Sequence, residues 1–275
     1  MTVNPRPSAE MAHHRTIDRV AHMLELIASR PEGVTLSEVA GAIGAPTSSA
    51  HVLLDGLVSV GYVDRAGARY VLGPAPYVLT LQAQQSPAQM VAHNDLVRLA
   101  DEGDFTAILG VRVGDDVVFI DEAGDDPMLQ HIARARARRP TLESVVGWVL
   151  IAALEDREMH EYLRRHKRQD LVDDFLGALA GIRASGVAVG VAKGFSPRVG
   201  PGTETGVVAT AVRDRSGRAI ASVAVGQHPA YVADHLEEIR HVLLSHSRHW
   251  STRQSTTESI SEPLPYGHRS QRRDG

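Results

Sequence analysis

Apolar residues in the first sixty positions recur at helical spacing in three separate stretches. Ile17, Val20, Ala21, Leu24, Ile27 and Ala28 form one stripe, running from Thr16 as N-cap to Pro31-Glu32-Gly33, which stops it. Leu36, Val39, Ala40 and Ile43 form a second behind a capping box, in which Thr35 and Glu38 exchange hydrogen bonds. Gly44 suits the left-handed residue that closes this helix, and Pro46 fixes the entry to the next. There Ala50, Leu53, Leu54 and Leu57 make the buried stripe, leaving Thr47, Ser48, His51, Val52 and Asp55 outward. The period then shortens: residues 62–65 and 69–72 flank Ala66-Gly67-Ala68 as a β-hairpin, with Arg65 and Arg69 bracketing its tip. Three helices and a hairpin in this order predict a winged helix-turn-helix whose third helix reads base edges.

Gly73-Pro74-Ala75-Pro76 suits a domain edge. Residues 77–92 read as a linker helix interrupted near Ser86-Pro87, and Tyr77, Val78, Leu79 and Leu81 give it an apolar side. That side suits dimerisation and packing within the chain equally well. The remainder alternates helices and strands: a helix over 92–103, strands over 106–113 and 117–121 around Gly114-Asp115-Asp116, and a strand over 128–138. Arg134, Arg136 and Arg138 would line one solvated face of that strand. Helices follow over 143–154, 156–165 and 171–184, then glycine-rich loops at 190–194 and 200–202. A hairpin of 206–212 and 219–225 turns at Asp214-Arg215-Ser216-Gly217, and a helix over about 232–249 closes the pattern. The expected fold class is α+β: a winged domain at 15–76, a linker helix at 77–92 and an antiparallel-sheet domain with packed helices at 93–250. Residues 1–14 and 251–275 have few apolar positions and read as disordered tails.

The 275 residues allow about two domains. Without cysteine there is no disulfide, thiolate chemistry or Cys-based zinc site. No apolar run reaches the ~18 residues that span a bilayer, and the N-terminus lacks a signal-peptide core, so a cytoplasmic protein without a membrane partner is expected. Fourteen histidines invite a metal reading, but His241, His246 and His249 have no carboxylate at ligand spacing and read as a solvated helix face. No phosphate-cradling Gly-Lys-Ser/Thr and no Gly-x-Ser-x-Gly elbow occurs, so neither a cofactor nor catalysis is expected. A net charge of −4 argues against non-specific coating of nucleic acid, and through residue 80 arginines and acids nearly balance. A basic DNA face then requires segregation, with Arg15, Arg19, Arg65 and Arg69 on one side.

Several runs resemble the IclR family of bacterial transcription regulators: Thr16-Ile-Asp-Arg-Val-Ala21, Leu36-Ser-Glu-Val-Ala40, Ile43-Gly-Ala-Pro-Thr-Ser-Ser-Ala-His51, Gly61-Tyr-Val63 and Tyr70-Val-Leu-Gly-Pro74. Gly114-Asp-Asp-Val-Val-Phe-Ile-Asp121, Arg138-Arg-Pro-Thr-Leu142 with Gly147, and Asp214-Arg-Ser-Gly-Arg-Ala-Ile-Ala-Ser-Val-Ala-Val225 resemble landmarks of the same family's second domain. The resemblance covers about residues 15 to 250. It implies a ligand-responsive regulator that binds double-stranded operator DNA as a homodimer or homotetramer, with a GAF-like effector domain, acting as repressor or activator. Contacts with DNA are expected from Arg15, Arg19, Thr35, Pro46, Thr47, Ser48, Ser49, His51, Val52, Arg65 and Arg69. The family's effector pocket carries over onto Leu129, Leu142, Ser144, Val145, Val146, Gly147, Lys193, Val207, Ala209, Ala224 and Gly226.

Departures from the family pattern shape the expectation. Thr47 and Val52 stand where Lys and Arg are frequent, which removes phosphate contacts. Val145 and Val146 replace smaller residues, Val207 stands where Cys is common, and Val191, Ala192 and Lys193 replace acidic loop residues. An apolar or aromatic carboxylic acid is then the expected effector, with Ser144 and Lys193 at its polar end; the other reading is that the valines fill the core. An adaptor using the winged fold for protein contacts, and a metabolite-processing enzyme, are the alternatives.

Overall fold

The computed structural model describes residues 15–83, 90–193 and 204–253, without the side chains of Lys193 and Arg253. The first unit contains α1 (Arg15–Ala28), β1 (Val34–Thr35), α2 (Leu36–Ala42), α3 (Thr47–Ser59), β2 (Val63–Ala66) and β3 (Arg69–Leu72). Its strands form an antiparallel sheet in the order β1-β3-β2. The expected capping box is present: Glu38 Oε2 accepts from the Thr35 N–H at 2.8 Å, and Thr35 Oγ1 accepts from the Glu38 N–H at 3.3 Å. Gly44 and the wing tip Gly67 take the left-handed conformation, with φ of 57° and 64°. One core joins the elements, built from Met23, Ile27, Val34, Val39, Leu54, Val63 and Tyr70 among others.

The buried face of α1 differs from the expected one. Met23 and Ile27 are buried and Val20 and Leu24 half-buried, whereas Ile17, Ala21 and Ala28 are exposed. Positions 20, 23, 24 and 27 make a complete stripe once Met23 is counted as apolar. Arg15 is already helical, so Thr16 is not the cap.

Helix α4 (Ala75–Ala83) starts two residues before the expected linker helix, and the break expected near Ser86-Pro87 lies outside the described residues. The second unit contains α5 (His93–Gly103), β4 (Thr106–Val113), β5 (Asp116–Ala123), α6 (Pro127–Arg134), β6 (Arg138–Pro140), a 3₁₀ turn (Thr141–Glu143), α7 (Val145–Ala152), α8 (Asp156–Arg165), α9 (Gln169–Ser185), β7 (Val187–Lys193), β8 (Glu204–Arg213), β9 (Ala219–Gln227), α10 (Pro229–Asp234) and α11 (Leu236–Arg253). Its six-stranded antiparallel sheet has the order β6-β5-β4-β9-β8-β7.

Both faces of that sheet are covered, which makes three layers. Ile108, Val207, Ala209 and Ala224 pack with α6, α7, α8 and α9. Their strand neighbours Ala107, Leu109, Val208, Val223 and Val225 pack with α5, α10 and α11. Alternation along each strand thus assigns side chains to opposite layers, and near-continuous apolar runs follow from burial on both sides.

Three expectations are corrected here. Residues 128–138 are not a strand but mostly α6, so Arg134, Arg136 and Arg138 do not share a strand face. Asp126 caps this helix, its carboxylate accepting from the N–H groups of Met128 at 2.8 Å and Leu129 at 3.1 Å, with Pro127 at the first helical position. The Gly190 region is strand β7, paired along β8 from Val187↔Thr210 to Lys193↔Glu204, and not a loop. The last helix is two helices, and the second continues through Trp250, which is fully buried, to Arg253. Residues 254–275 and 1–14 lie outside the described residues.

Candidate functional site

Two regions carry the residues singled out in the sequence. The first is the exposed side of α3 with the adjoining wing. Thr47, Ser48, Ser49 and Val52 are exposed, Val52 by 70%. Pro46, the N-cap residue, offers no side-chain hydrogen bond, so no side chain caps the first-turn N–H groups of α3. Such a helix start attracts phosphate oxygens.

The flanking cations are less available than their exposure suggests. Arg65 Nη2 donates to the Tyr70 hydroxyl at 2.9 Å and to Asp55 Oδ1 at 3.3 Å, and lies 3.5 Å from His51 Nε2. His51 Nδ1 is 2.9 Å from Asp55 Oδ2. A proton on His51 Nδ1 satisfies both contacts, leaving Nε2 to accept from Arg65. The hydrogen bond to Tyr70 and the Asp55 carboxylate push the Arg65 guanidinium above its ordinary value. The chain from α3 to wing is therefore Asp55, His51, Arg65 and Tyr70.

Arg69 Nη1 donates to the Gly33 carbonyl at 2.9 Å, clamping the wing to the turn before β1. Gly33 is left-handed with φ of 80°, and a Cβ there would lie 3.1 Å from that of Arg69. Arg19 Nη2 donates to the Gly44 carbonyl at 3.4 Å, across the turn of the helix-turn-helix. Thr35 is committed to the capping box, and its backbone N–H and its hydroxyl, both donating to Glu38 Oε2, hold the Glu38 carboxyl below its usual value. Arg15 is exposed at the start of α1.

The second region lies between α7 and the sheet. Leu129, Leu142, Val146, Val207, Ala209 and Ala224 are buried together, with Val145 packed against them. Gly147 and Gly226 occupy tight points: a Cβ on Gly147 would lie 2.1 Å from the Thr141 carbonyl oxygen, and one on Gly226 would lie 2.4 Å from Leu129 Cδ1. The sheet glycines Gly110 and Gly190 accept the valines of α7, since their Cβ positions would lie 2.9 Å from Val146 Cγ1 and 2.6 Å from Val145 Cγ2. Ser144 is the N-cap of α7 and makes no side-chain capping bond. Lys193 ends β7 opposite Glu204, with its side chain outside the described atoms.

The sequence reading of this region missed Asp126 and Thr205. Thr205 Oγ1 donates to Asp126 Oδ2 at 2.8 Å, tying the start of β8 to the cap of α6 beside Leu129. Its signal was the Asp126-Pro127 pair, a helix start that the strand assignment overlooked. Two surface cavities of this unit lie elsewhere. One of about 1380 Å³, between α5, the end of β9 and the loop before α6, touches the region at Asp126, Thr205 and Gly226. Another of about 880 Å³ adjoins α11 and the β8–β9 turn. The histidines of α11 are not all solvated: His246 Nε2 lies 3.0 Å from Glu102 Oε2.

Comparison with known proteins matches both units of the chain. The model of the IclR helix-turn-helix domain matches residues 16–67, and that of the bacterial transcriptional regulator IclR C-terminal domain matches residues 83–252. The HTH-type transcriptional regulator TtgV of Pseudomonas putida is 28% identical over 182 residues, covering 63% of this chain and 70% of that protein. The Pca regulon regulatory protein of Pseudomonas putida is 25% identical over 147 residues, covering 52% of this chain and 50% of that protein. An IclR transcriptional regulator from Alicyclobacillus acidocaldarius shares the fold with a TM-score of 0.65 at 20% identity, over 88% of this chain and 99% of that one. So does an IclR homolog complexed with 4-hydroxybenzoate from Microbacterium hydrocarbonoxydans, with a TM-score of 0.64 at 21% identity, over 87% and 98%. With both family domains matched in order, the chain belongs to the IclR family of transcriptional regulators.

Proposed function

We propose that the protein binds a pseudo-palindromic operator as a dimer or pair of dimers, and that an apolar or aromatic carboxylic acid between α7 and the sheet alters that binding. In this reading residues 15–76 form the DNA module, 77–92 the linker and 93–250 the effector domain. The observation that carries it is the open side of α3, where Thr47, Ser48, Ser49 and Val52 surround a helix start that no side chain caps. Ser and Thr hydroxyls serve base edges and phosphates, and Val52 suits a thymine methyl. Arg15, Arg19 and Arg65 flank that side; Thr35 and Arg69 contribute by holding the turn and wing in place. One module offers few cations, so affinity must come from two copies.

Fluorescence anisotropy with duplex DNA from beside the gene tests the reading. Ser48→Glu with Val52→Glu puts carboxylates against phosphates without touching the core, and should weaken binding at least about a hundredfold. Unchanged affinity removes α3 from the interface. The adaptor and enzyme readings are not favoured, because the family is one of transcriptional regulators.

The effector class rests on the apolar lining of Leu129, Leu142, Val145, Val146 and Val207, with Ser144 and the start of α7 for the carboxylate. The 4-hydroxybenzoate complex of the Microbacterium hydrocarbonoxydans homolog supports the same class. Because Val145 and Val146 press on Gly190 and Gly110, acid binding requires α7 to move outward, and this displacement is the signal passed on. A thermal-shift series decides: benzoates should stabilise the protein and pyruvate or glyoxylate should not. The reverse result overturns the specificity.

A further inference from the structure

We propose that the groove between α11, the β8–β9 turn and Gly186 is a second ligand site, taking an organic phosphate. Its volume, about 880 Å³, is that of a small-molecule site. It lies on the layer of the sheet opposite α7, since β8 turns Val207 and Ala209 to α7 but Val208 and Val212 towards α11.

Charge selects the ligand. Arg213, Arg215, Arg240, Arg248 and His241 line the groove, against the single lining carboxylate of Asp214. That carboxylate is already spent in the turn: Asp214 Oδ1 accepts from Ser216 Oγ at 2.6 Å and from the N–H groups of Ser216 at 2.9 Å and Arg218 at 3.1 Å. These bonds hold its carboxyl below the usual range. Arg240 is neutralised by Glu237, whose Oε2 accepts from its Nε at 3.0 Å.

Of the other three guanidinium groups, those of Arg213 and Arg248 are each oriented by one bond within their own element or turn. Arg213 Nη1 donates to the Gly217 carbonyl at 2.8 Å, and Arg248 Nε donates to the Leu244 carbonyl at 3.0 Å. Their other N–H groups have no partner among the described residues. Pre-orientation of this kind lowers the ordering cost of binding.

The hydroxyls of the groove cannot compete as donors. Thr210 donates to the Gly186 carbonyl, Ser247 to that of Ala211 and Ser251 to that of Ser247. Guanidinium N–H groups then dominate, and they bind only acceptors. Two guanidinium forks on different elements bring two positive charges to one groove, which a phosphate monoester with close to two negative charges neutralises and a single carboxylate only half neutralises. The floor is aliphatic: Gly186, left-handed with φ of 77°, lies under Leu244, and a Cβ on it would come within 3.0 Å of Leu244 Cδ2. An apolar body attached to the phosphate covers that floor.

Calorimetry on the full chain, at fixed ionic strength, compares phenyl phosphate, inorganic phosphate and phenol. Phenyl phosphate should bind at least about tenfold more tightly than inorganic phosphate, and phenol should not bind. Arg213→Gln with Arg248→Gln, or Arg248→Gln alone should the pair fail to fold, should weaken phenyl phosphate at least about tenfold and leave benzoate stabilisation unchanged. No binding at millimolar phenyl phosphate, or binding undiminished in the variants, overturns the proposal. So does a loss confined to non-operator duplex DNA, which makes the groove a DNA-backbone contact. The phenyl phosphate titration does not depend on the acid site, so failure of the benzoate reading leaves this test intact.

Discussion

Asp55 occupies the outward side of a recognition helix, where a carboxylate repels phosphate, yet it holds two of the module's few basic groups. His51 and Arg65 both turn towards it, at 2.9 and 3.3 Å. Asp55→Asn should release both to the DNA side and raise operator affinity about threefold to tenfold, with a steeper salt dependence in anisotropy titrations. A fall in affinity would mean that the ordering of Arg65 outweighs the charge. In the second unit, His166 has a buried Nδ1 without a hydrogen-bond partner among the described residues, and burial lowers its pKa from 6.5. The unfolded chain then binds the extra proton first, so this contribution to stability is present above pH 6.5 and is lost as pH falls below it. His166→Gln should flatten the decline in urea midpoint between about pH 7.5 and 5.5. Tyr162, pushed up to about 12 by burial, stays neutral throughout.

Secondary-structure elements were legible where a local signal stood alone and misread where two competed. Thr35 with Glu38 marked α2, and Gly67 marked the wing, because capping and turn chemistry act within four residues. Residues 133–138 carry alternating Ala and Arg positions that suit a strand, but Asp126-Pro127 upstream is a helix start and the cap decides. Asp126→Ala removes three accepted hydrogen bonds, two from N–H groups of α6 and one from Thr205, and should lower stability by about 1–3 kcal/mol in chemical unfolding. Gly147 fixes the approach of α7 to the 3₁₀ turn. Gly147→Ala should cost about 1–3 kcal/mol, because the new methyl meets the Thr141 carbonyl. Wild-type stability of either variant would contradict the packing described.

At the scale of the molecule, α4 buries none of its residues in the single chain, and Tyr77, Val78, Leu79 and Leu81 are 67, 44, 49 and 51% exposed. A contiguous apolar surface of this kind suits a second copy. Leu79→Glu with Leu81→Glu should shift the protein towards monomer in sedimentation and weaken operator binding, as loss of the second half-site requires. A stable assembly in that variant places the interface elsewhere. Where the two units touch, Arg138 Nη2 lies 2.5 Å from Glu25 Oε1 and its Nη1 lies 3.6 Å from Asp116 Oδ2. Through β6 and the 3₁₀ turn, Arg138 is only a few residues from α7.

Local chemistry written in the sequence determined the two-unit order, the helix-turn-helix, the wing, the antiparallel hairpins and the outward residues of α3. Each of these depends on periodicity, caps or turn residues a few positions apart. Tertiary structure decided the rest, because it depends on which groups meet across long separations. Whether Arg65 points to solvent or to Asp55, whether Arg69 meets the Gly33 carbonyl, and which face of α1 is buried follow from packing that no short window contains. The same holds for β7, whose Gly190 reads as loop punctuation until its pairing with Val207 and the approach of Val145 require a residue without a side chain. Trp250 stands in a polar stretch, and only the packing of α11 against the sheet and α5 makes it core.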